Sequence, residues 1–419
     1  WNDFDKYTSQ VFDGKKLLKS FSPYVALYIF DGPNLTNFIS KIYSEQKHKN
    51  LYNDKKTLSA KKTFQKTVKQ KIKIAYISSD FYIHPVSQLL IEILEKHDKN
   101  KFEIIAISIN KTKSDSMTKR IKESVSQYIN IGKKSTLETV SIIKSFKLDI
   151  VIDLNGYTQN NHSEIFFYNL APILINYLGY PGTLGNKIYD YIIADKILIP
   201  KKYQKDYSEK IVYLPDSYKL DHSVRKISDK IFTKEELGLP KNSFVFCCFN
   251  NNFKITPNVF NIWMNILKNV KDSVLWLMIK GDNQTVKNHL KKEALKKGIE
   301  SDRLIFANRM PLSDHLARLK LADLFIDTMP YNAHTTASDA LWVGLPVLTL
   351  CGETFASRVA ASMLNAIGLN ELITLTDKEF EDLAIELANN PKKLQQIKNN
   401  LIITKFRNLY SIQSFLLKT

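Results

Sequence analysis

The stretch that decides the fold is residues 323–350, DLFIDTMPYNAHTTASDALWVGLPVLTL. It begins with the apolar run DLFID and ends with the apolar run PVLTL, and short runs of this kind are typical of buried strands. The polar segment between them leads into a helical pattern, so the stretch predicts a strand, a helix and a second, parallel strand. Thr336 and Asp339 also have the spacing of a capping box, which predicts that the helix begins here.

The same alternation of strands and helices extends over most of the chain. One series runs from KIKIAYISSD at residue 71 to ILINYLGYPGT at residue 173, and a second begins with FVFCCFNN at residue 244. Alternation of this kind predicts parallel, doubly wound sheets. We therefore expect an α/β fold with two Rossmann-like domains facing a cleft, which is the GT-B architecture of many enzymes that use nucleotide sugars.

The remaining segments are polar and helical in pattern. Within the first series, residues 116–129, SMTKRIKESVSQYI, are expected to form one helix. The predicted segments of the whole chain are a helical linker over 1–70, an N-terminal lobe over 71–240, a C-terminal lobe over 241–377 and C-terminal helices over 378–419.

Length and composition restrict the class of protein. With 419 residues, of which 44% are hydrophobic, the chain is long enough for two or three domains. Its apolar runs are too short to cross a bilayer, and no signal segment stands at the start. The chain begins with Trp1 and not with Met, so we expect a fragment with further sequence upstream. The cysteines Cys247, Cys248 and Cys351 have no metal-ligand or disulfide spacing, which favours a cytoplasmic protein.

The net charge of +18 raises the question of nucleic-acid binding. Only seven of the 60 basic residues are arginine, and the lysines are scattered along the chain. Proteins that read nucleic acids concentrate arginine and aromatic residues on one surface, so we predict no nucleic-acid partner. A polyanion-binding function stays as a minor alternative, and it would show a steep dependence on salt.

Polar residues follow the strands at the points where a doubly wound fold binds its ligands. Asn251 and Lys254 come after the first strand of the second series, and Thr335 and Thr336 open the helix of the first quoted stretch. A helix N-terminus, threonine hydroxyls and a lysine together predict a diphosphate site. Asp339, about one turn into the helix, has a side chain that can accept hydrogen bonds from ribose hydroxyls. The alternatives are a solvated lysine and a helix cap.

Two further histidines and a glycine-rich loop are candidates for the same site. His84 follows the first strand of the first series, although a histidine before a proline is often only a turn residue. His315 stands in PLSDHLARLK, where an exposed helix position is the simpler interpretation. The loop YLGYPGTLGN carries Gly179, Gly182 and Gly185, which allow close approach of the backbone to a ligand but also occur in ordinary turns.

Motifs for other chemistries are missing from the sequence. It has no Walker loop and no G-x-S-x-G elbow. Its one D-x-D motif, Asp3-Phe4-Asp5, lies in the N-terminal segment and far in sequence from both series. We therefore expect no metal site.

Several segments resemble one enzyme family. SSDFYIHPVS, DLNGYTQ, LGYPGT, CCFNNNFKITP, DLFIDTMPYNAHTTASDALW and GETFASRVAAS occur in this order. They resemble the catalytic region of the O-GlcNAc transferase family, in particular bacterial members without the insert between the lobes. The resemblance covers roughly residues 70–410. Residues 1–45 are similar to the segment that joins this region to upstream tetratricopeptide repeats in such proteins.

The resemblance implies an inverting, metal-independent transfer of N-acetylglucosamine from UDP-GlcNAc to a serine or threonine of a protein, without a cofactor. It implies that the first lobe receives the acceptor and the second binds the UDP-sugar. His84 matches an active-site histidine that has been proposed as general base, and Lys254 matches the lysine that neutralises the diphosphate. The other implied contacts to the donor come from Asn251 and Gly182, from Met310, His315 and Arg318 at the uracil, from His334, Thr335 and Thr336 at the phosphates and sugar, and from Asp339 at the ribose.

The sequence departs from the family pattern at three positions. Leu312 stands where the family has a lysine that contacts uracil, so one contact to the base is missing. Asn251 replaces a glutamine near the phosphates and keeps the amide at shorter reach. His162 stands in place of an arginine after the GYT segment.

Three other functions are weighed beside this one. A SPINDLY-like protein O-fucosyltransferase would use GDP-fucose, and a protein glucosyltransferase would use UDP-glucose; the HTTASD segment favours UDP. A glycan- or peptide-binding module without catalysis is the non-enzyme alternative, and the presence of both His84 and Lys254 argues against it. The expected partners are a UDP-sugar and a protein acceptor, with no membrane.

Overall fold

The structure, a computed structural model, describes residues 21–53, 71–110, 114–219, 225–279, 281 and 283–416, with side chains up to residue 404. The described residues form two compact units, one up to residue 219 and the other from residue 225 to 415. Each is built on a parallel sheet. The bounds of the four predicted segments stay a prediction.

The sheet of the first unit has seven strands, all parallel, in the order β3-β2-β1-β4-β5-β6-β7. Its strands are β1 Ile72–Ser78, β2 Phe102–Ser108, β3 Gln127–Asn130, β4 Ile150–Asp153, β5 Ile173–Asn176, β6 Tyr191–Ala194 and β7 Lys210–Tyr213. Its helices are α1 Pro23–Ala26, α2 Pro33–Lys47, α3 Lys49–Asn53, α4 Pro85–Lys96, α5 Ser116–Ser124 and α6 Thr136–Ser145, with 3-10 helices at Ser163–Tyr168 and Lys201–Asp206.

The sheet of the second unit has six parallel strands in the order β10-β9-β8-β11-β12-β13. Its strands are β8 Phe244–Cys248, β9 Ser273–Met278, β10 Leu304–Ala307, β11 Leu324–Ile326, β12 Val347–Leu350 and β13 Ile373–Thr374. Its helices are α7 Pro257–Asn269, α8 Gln284–Lys296, α9 Leu312–Leu319, α10 Thr335–Trp342, α11 Val359–Ala366, α12 Asp377–Asn389 and α13 Pro391–Leu416, with 3-10 helices at Glu235–Leu237, Asn252–Lys254, Ser301–Arg303 and Asn370–Leu372.

Both sheets reverse their strand order at one point. In the first unit β1 pairs with β2 on one side and with β4 on the other. In the second unit β8 pairs with β9 and with β11 in the same way. Ligands of doubly wound folds bind beyond the carboxyl ends of the strands at such a reversal. The loops after β1, β4, β8 and β11 are therefore the places to look for a site.

One predicted helix is wrong in its second half. Residues 116–129 were expected to be helical throughout, but α5 ends at Ser124 and the chain then forms β3. Ile129 of β3 pairs with Ile107 of the buried strand β2. The backbone hydrogen bonds and the packing gained by this edge pairing outweigh the local helical pattern.

Helix α2 packs on the loops of the first unit. The Ser40 hydroxyl lies 3.4 Å from the Tyr180 hydroxyl, and the Tyr43 and Tyr157 rings meet edge to face at 5.0 Å. Gly185 has a φ of +66°, and a Cβ there would lie 2.3 Å from the backbone nitrogen of Lys41. This close approach between two backbones makes α2 part of the first unit.

Two further properties of the chain concern membranes and cysteines. Among the described helices, none is both long and apolar enough to cross a bilayer. Cys247, Cys248 and Cys351 are free and buried.

Candidate active site

Asp327 organises the loop that follows β11. Its Oδ1 accepts hydrogen bonds from the backbone N–H groups of Thr328 at 2.7 Å and Ala333 at 2.6 Å. Its Oδ2 accepts from the Thr349 hydroxyl at 2.7 Å. Burial raises the pKa of this carboxyl. These bonds fix the path of the chain from β11 to α10. Asp327 is the last residue of the apolar run DLFID, and no motif in the sequence marked it as a functional residue.

Asn250 connects the end of β8 to the start of α10. Its amide nitrogen donates to Asp327 Oδ1 at 3.1 Å and to Thr328 Oγ1 at 2.7 Å. Its amide oxygen accepts from the Thr336 hydroxyl. The neighbouring Asn251 has a buried Oδ1 with no partner among the described residues. A buried acceptor of this kind is unfavourable unless a bound molecule donates to it, which fits the prediction that Asn251 contacts a ligand.

Lys254 ends a 3-10 turn after β8. Its Nζ donates to the Asn332 carbonyl at 2.8 Å and lies 3.9 Å from the centroid of the Tyr331 ring. Burial lowers the pKa of the Lys254 ammonium, and the nearby carboxylate of Asp327 opposes this shift. An anion beside Lys254 would restore the charged form, so the geometry favours an anionic ligand.

The start of α10 differs from the sequence prediction. The helix begins at Thr335 with His334 as N-cap, and no side-chain hydrogen bond caps it. The predicted capping box of Thr336 and Asp339 is wrong, because Thr336 is already the second residue of the helix and its hydroxyl bonds to Asn250. The first turn therefore keeps the partial positive charge of a helix N-terminus without a side-chain acceptor.

His334 is held at this N-terminus by two contacts. Its Nε2 lies 3.2 Å from the Ala356 carbonyl, and its ring lies 4.6 Å from the ring of Tyr331. Because the Tyr331 ring also contacts Lys254, the three side chains form one group at the carboxyl ends of β8 and β11.

Asp339 forms an ion pair that the sequence did not predict. Arg225 donates from Nη1 to Asp339 Oδ1 at 2.7 Å and from Nη2 to Ser338 Oγ at 2.6 Å. The two charged side chains are only 8% and 10% exposed. Arg225 lies near the end of the predicted N-terminal lobe, where no motif or periodicity marked it.

His315 and Arg318 form a second group beside the end of β8. Arg318 Nη2 donates to His315 Nδ1 at 2.9 Å, and both side chains pack on the ring of Phe249. Arg318 is 1% exposed, and its Nε has no partner among the described residues. Burial and the charge of Arg318 lower the pKa of His315 to about 4. The imidazole is therefore neutral at neutral pH, with its proton on Nε2, and it is buried, contrary to the exposed-helix alternative.

Met310 and Leu312, which precede His315 in the sequence, differ in their exposure. Met310 is half-buried just before α9. Leu312, where the family pattern has a lysine, is the first residue of α9 and is 40% exposed. Residue 312 thus offers an apolar surface and no charge at this position.

His84 is the N-cap of α4 in the first unit. Its Nδ1 accepts from the Val86 N–H at 3.3 Å and lies 3.8 Å from Asp80 Oδ2. Asp80 Oδ2 in turn accepts from the Asn155 amide at 2.9 Å, which joins the ends of β1 and β4. With Nδ1 acting as acceptor, neutral His84 carries its proton on Nε2 and presents a hydrogen-bond donor.

The glycine-rich loop after β5 packs against the protein itself. A Cβ on Gly179 would lie 1.9 Å from the Leu154 carbonyl oxygen, and one on Gly182 would lie 3.2 Å from the Tyr180 ring. The Gly182 carbonyl accepts from the Asn176 amide at 3.0 Å. Internal packing is enough to explain Gly179 and Gly185, so the idea that they serve close approach to a ligand loses its support. The predicted contact of Gly182 to a donor stays a prediction.

The predicted residues thus fall into two sets. His84 and Gly182 lie in the first unit, as does His162, whose Nδ1 is 3.2 Å from Glu164 Oε1. The others lie in the second unit. Asn251 and Lys254 follow β8, and His334, Thr335, Thr336 and Asp339 follow β11. His315 and Arg318 of α9 pack on Phe249 at the end of β8, and Met310 follows β10. In the described part of the chain, no three His, Cys, Asp or Glu side chains are grouped so that they could hold a metal ion.

The sequence family described as glycosyl transferase family 41 matches residues 15–228 and 225–418. The chain belongs to this family. The match confirms the family resemblance that the motifs indicated.

Family members with curated names are similar over most of this chain. A probable UDP-N-acetylglucosamine–peptide N-acetylglucosaminyltransferase of Arabidopsis thaliana, SEC, is 35% identical over 341 residues, covering 79% of this chain and 34% of SEC. The Caenorhabditis elegans UDP-N-acetylglucosamine–peptide N-acetylglucosaminyltransferase is 25% identical over 527 residues, covering 95% of this chain and 45% of that enzyme. The Arabidopsis thaliana protein SPINDLY, with the same probable activity in its name, is 30% identical over 340 residues, covering 79% of this chain and 36% of SPINDLY. The chain spans less than half the length of these relatives.

Solved structures of the same architecture are also similar. A mutant of the Thermobaculum terrenum O-GlcNAc transferase superposes with a TM-score of 0.83 at 25% identity, covering 96% of this chain and 76% of that one. Anabaena HepE, solved with UDP-glucose, has a TM-score of 0.52 at 14% identity, and the match covers 83% of this chain and 98% of HepE. This match shows a similar fold alone. The predicted GT-B architecture of two Rossmann-like parallel-sheet domains is confirmed.

Proposed function

We propose that this chain is the catalytic region of an inverting glycosyltransferase that moves N-acetylglucosamine from UDP-GlcNAc to serine or threonine hydroxyls of proteins. One observation carries the proposal: Lys254 and the N-terminus of α10, which no side chain caps, occur together at the carboxyl ends of β8 and β11. The names of the relatives SEC and the Thermobaculum terrenum enzyme support the choice of donor.

The second unit supplies the groups that a departing nucleoside diphosphate needs. As the bond between the sugar carbon and the diphosphate breaks, negative charge develops on the phosphate oxygens. Lys254, the Thr335 hydroxyl and the N–H groups of the first turn of α10 are in place from the start of the reaction and can stabilise this charge. The Thr336 hydroxyl donates to Asn250, so Thr336 contributes its backbone N–H. His334 at the same turn faces the sugar in this proposal, and the Asn251 oxygen accepts from a donor hydroxyl or amide.

The nucleoside is assigned to the group around His315 and to Asp339. A neutral imidazole held by Arg318 offers a flat ring for stacking on a pyrimidine, and Met310 offers its backbone to the edge of the base. The Asp339 carboxylate accepts from the ribose hydroxyls.

The acceptor hydroxyl attacks the sugar carbon on the face opposite the leaving diphosphate, which inverts the configuration, and it must lose its proton. We propose that His84 acts in this step from the first unit. Its Nε2–H donates in the neutral form, so that His84 can take the proton only if Nδ1 releases the Val86 N–H or the tautomer changes. The proton of the acceptor hydroxyl then passes to Nδ1 or, after the change of tautomer, to Nε2, and the imidazolium that forms is paired with Asp80, whose Oδ2 lies 3.8 Å from Nδ1.

A protein O-fucosyltransferase that uses GDP-fucose is the second candidate. One observation favours it: the exposed, apolar Leu312 stands where the family pattern has a lysine that contacts uracil. A UDP-glucose-dependent transferase differs from the proposed enzyme only in the sugar of its donor. The calorimetry described next distinguishes all three.

Calorimetry with UDP, UDP-GlcNAc, UDP-glucose and GDP-fucose tests the proposal. We expect UDP and UDP-GlcNAc to bind at least about tenfold more tightly than GDP-fucose, a difference of about 1.4 kcal/mol. Incubation with UDP-GlcNAc and serine- or threonine-containing peptides should add one N-acetylhexosamine by mass spectrometry, with the inverted anomer by NMR. Absence of UDP binding, or tighter binding of GDP-fucose, would contradict the proposal. His84→Asn, which keeps a cap acceptor, should bind UDP normally and transfer poorly.

Burial lowers the pKa of Lys254 to about 7. The affinity for UDP is therefore expected to fall as the pH rises from about 7 to about 8.5, a range in which an ordinary lysine with a pKa of about 10.4 stays charged. Only the protonated ammonium binds the diphosphate, so the association constant declines once the pH passes that lowered value. The decline approaches about tenfold per pH unit. Calorimetry at several pH values measures it, and Lys254→Met should show no slope. A constant wild-type affinity over this range contradicts the assignment.

The partners and location follow from the same proposal. The partners are a UDP-sugar and a protein acceptor, and neither a nucleic acid nor a metal ion enters the proposed mechanism. A reducing compartment such as the cytoplasm suits the free, buried thiols of Cys247, Cys248 and Cys351.

A further inference from the structure

Arg225 makes two side-chain hydrogen bonds to α10 from a segment that precedes β8. Its guanidinium reaches Asp339 Oδ1 at 2.7 Å and Ser338 Oγ at 2.6 Å, and its Cζ lies 5.8 Å from the centroid of the Trp342 ring. Ser338, Asp339 and Trp342 lie on adjoining turns of α10, so the arginine spans the surface next to the proposed diphosphate site.

We propose that Arg225 is a positioning residue for the donor nucleotide, because it orients the Asp339 carboxylate toward the ribose hydroxyls. This inference rests on the proposed function, in which Asp339 is the ribose acceptor. Arg225 lies 114 residues before its partner, outside every motif that indicated the site.

The geometry restricts both side chains. The guanidinium is fixed at two points, by Ser338 and by Asp339, and a planar group with two bonds has little freedom to rotate. The bond to Oδ1 restricts the rotation of the carboxylate, and water competes little for this bond because both side chains are nearly excluded from solvent. A carboxylate held in this way loses less conformational entropy when the ribose binds.

The charge of Arg225 has a second effect on the same helix. A lone Asp339 carboxylate would repel a diphosphate placed at the N-terminus of α10. The positive charge of Arg225 cancels that of Asp339 at a distance of 2.7 Å. The pair can thus offer carboxylate oxygens to hydroxyl groups without repelling the phosphates.

The test measures selectivity for ribose hydroxyls and not affinity alone. Dissociation constants for UDP, 2′-deoxy-UDP and 3′-deoxy-UDP are determined for the wild type, Arg225→Gln, Asp339→Asn and the double variant. A hydrogen bond to a charged group is worth about 1.5–3 kcal/mol, so the wild type should prefer UDP to at least one deoxy analogue by about tenfold or more. Arg225→Gln should reduce this preference to within about threefold, and the double variant should match Asp339→Asn.

Arg303→Gln is the matched control in the same unit. The Arg303 guanidinium also makes partly buried hydrogen bonds, but to the main-chain oxygens of Leu267, Val270 and Ser273 and to the Ser273 hydroxyl. This variant should lose thermal stability and keep the wild-type preference for UDP over its deoxy analogues. A merely structural role for Arg225 would give the same pattern as this control.

Each other outcome overturns the inference. An unchanged preference in Arg225→Gln, or an equal loss of affinity for all three nucleotides, means that Arg225 does not act through the ribose. Tighter binding of UDP by Arg225→Gln means that Arg225 competes with the ribose for Asp339. If the wild type binds UDP without preference, the ribose role of Asp339 is wrong while the UDP donor stands. If the wild type binds no UDP, the proposed function fails as well.

Discussion

Lys254→Ala is expected to lower the rate of N-acetylglucosamine transfer at saturating UDP-GlcNAc by about 100- to 1,000-fold, the usual effect of removing one group that stabilises transition-state charge. Lys254 is the cationic side chain at the ends of β8 and β11 in the group with Tyr331 and His334. Without it, the charge that develops on the departing diphosphate is stabilised only by the N-terminus of α10 and the Thr335 hydroxyl. The turnover number is measured by mass spectrometry of a modified peptide.

The control for this prediction is Lys268→Ala. Lys268 is an exposed residue near the end of α7, the helix that follows Lys254 in the same unit. Its removal changes the net charge equally and should leave turnover within about twofold. Circular dichroism must show that both variants are folded, because Lys254→Ala removes the cation nearest to the buried Asp327. A folded Lys254→Ala variant with more than a tenth of the wild-type rate would contradict the assigned role.

Gly185→Ala is expected to destabilise the first unit by about 2–4 kcal/mol, the sum of a left-handed alanine and a steric clash. Its φ of +66° is unfavourable for any residue with a Cβ, and the added Cβ would lie 2.3 Å from the Lys41 nitrogen and 2.6 Å from the Ser40 carbonyl carbon. Both atoms belong to the backbone of α2, which cannot move aside as a side chain can. Helix α2 must therefore shift away from the loop.

The matched control is Gly238→Ala. Gly238 has nearly the same φ, +69°, but no heavy atom lies within 4 Å of an added Cβ. It should lose only about 1–2 kcal/mol, the conformational part of the effect. Because two compact units need not unfold in one step, stability is measured for each unit by hydrogen exchange with mass spectrometry. Equal losses in the two variants would show that α2 is not packed against this loop.

The sequence was a good guide to the two sheets and a poor guide to their edges. β2 and β9 were predictable because buried strands of parallel sheets are continuous apolar runs. β3 was not, because Gln127–Asn130 is a short, partly exposed edge strand whose polar residues also fit the preceding helix. Its conformation depends on pairing with β2, which a local pattern does not contain.

Candidate site residues could be predicted from the sequence where they come directly after a strand. Lys254 and Thr336 were selected as candidates because both follow strands of a doubly wound fold, and their contacts to a donor stay a prediction. The start of α10 was misplaced because Asp327 fixes the preceding loop by hydrogen bonds that span the junction. Arg225 was missed for a similar reason, since its role arises only when a segment without periodicity packs on α10.

The packing of α2 on the first unit has a practical consequence for protein engineering. Because the backbone at Ser40 and Lys41 touches the loop at Gly185, and Tyr43 packs on Tyr157, the start of α2 has a fixed direction relative to the ends of β4 and β5. A binding domain fused in front of this helix would thus be carried at a defined angle to those loops. Helix α2 is therefore an attachment point at which an added domain would keep a fixed direction without a change to either sheet.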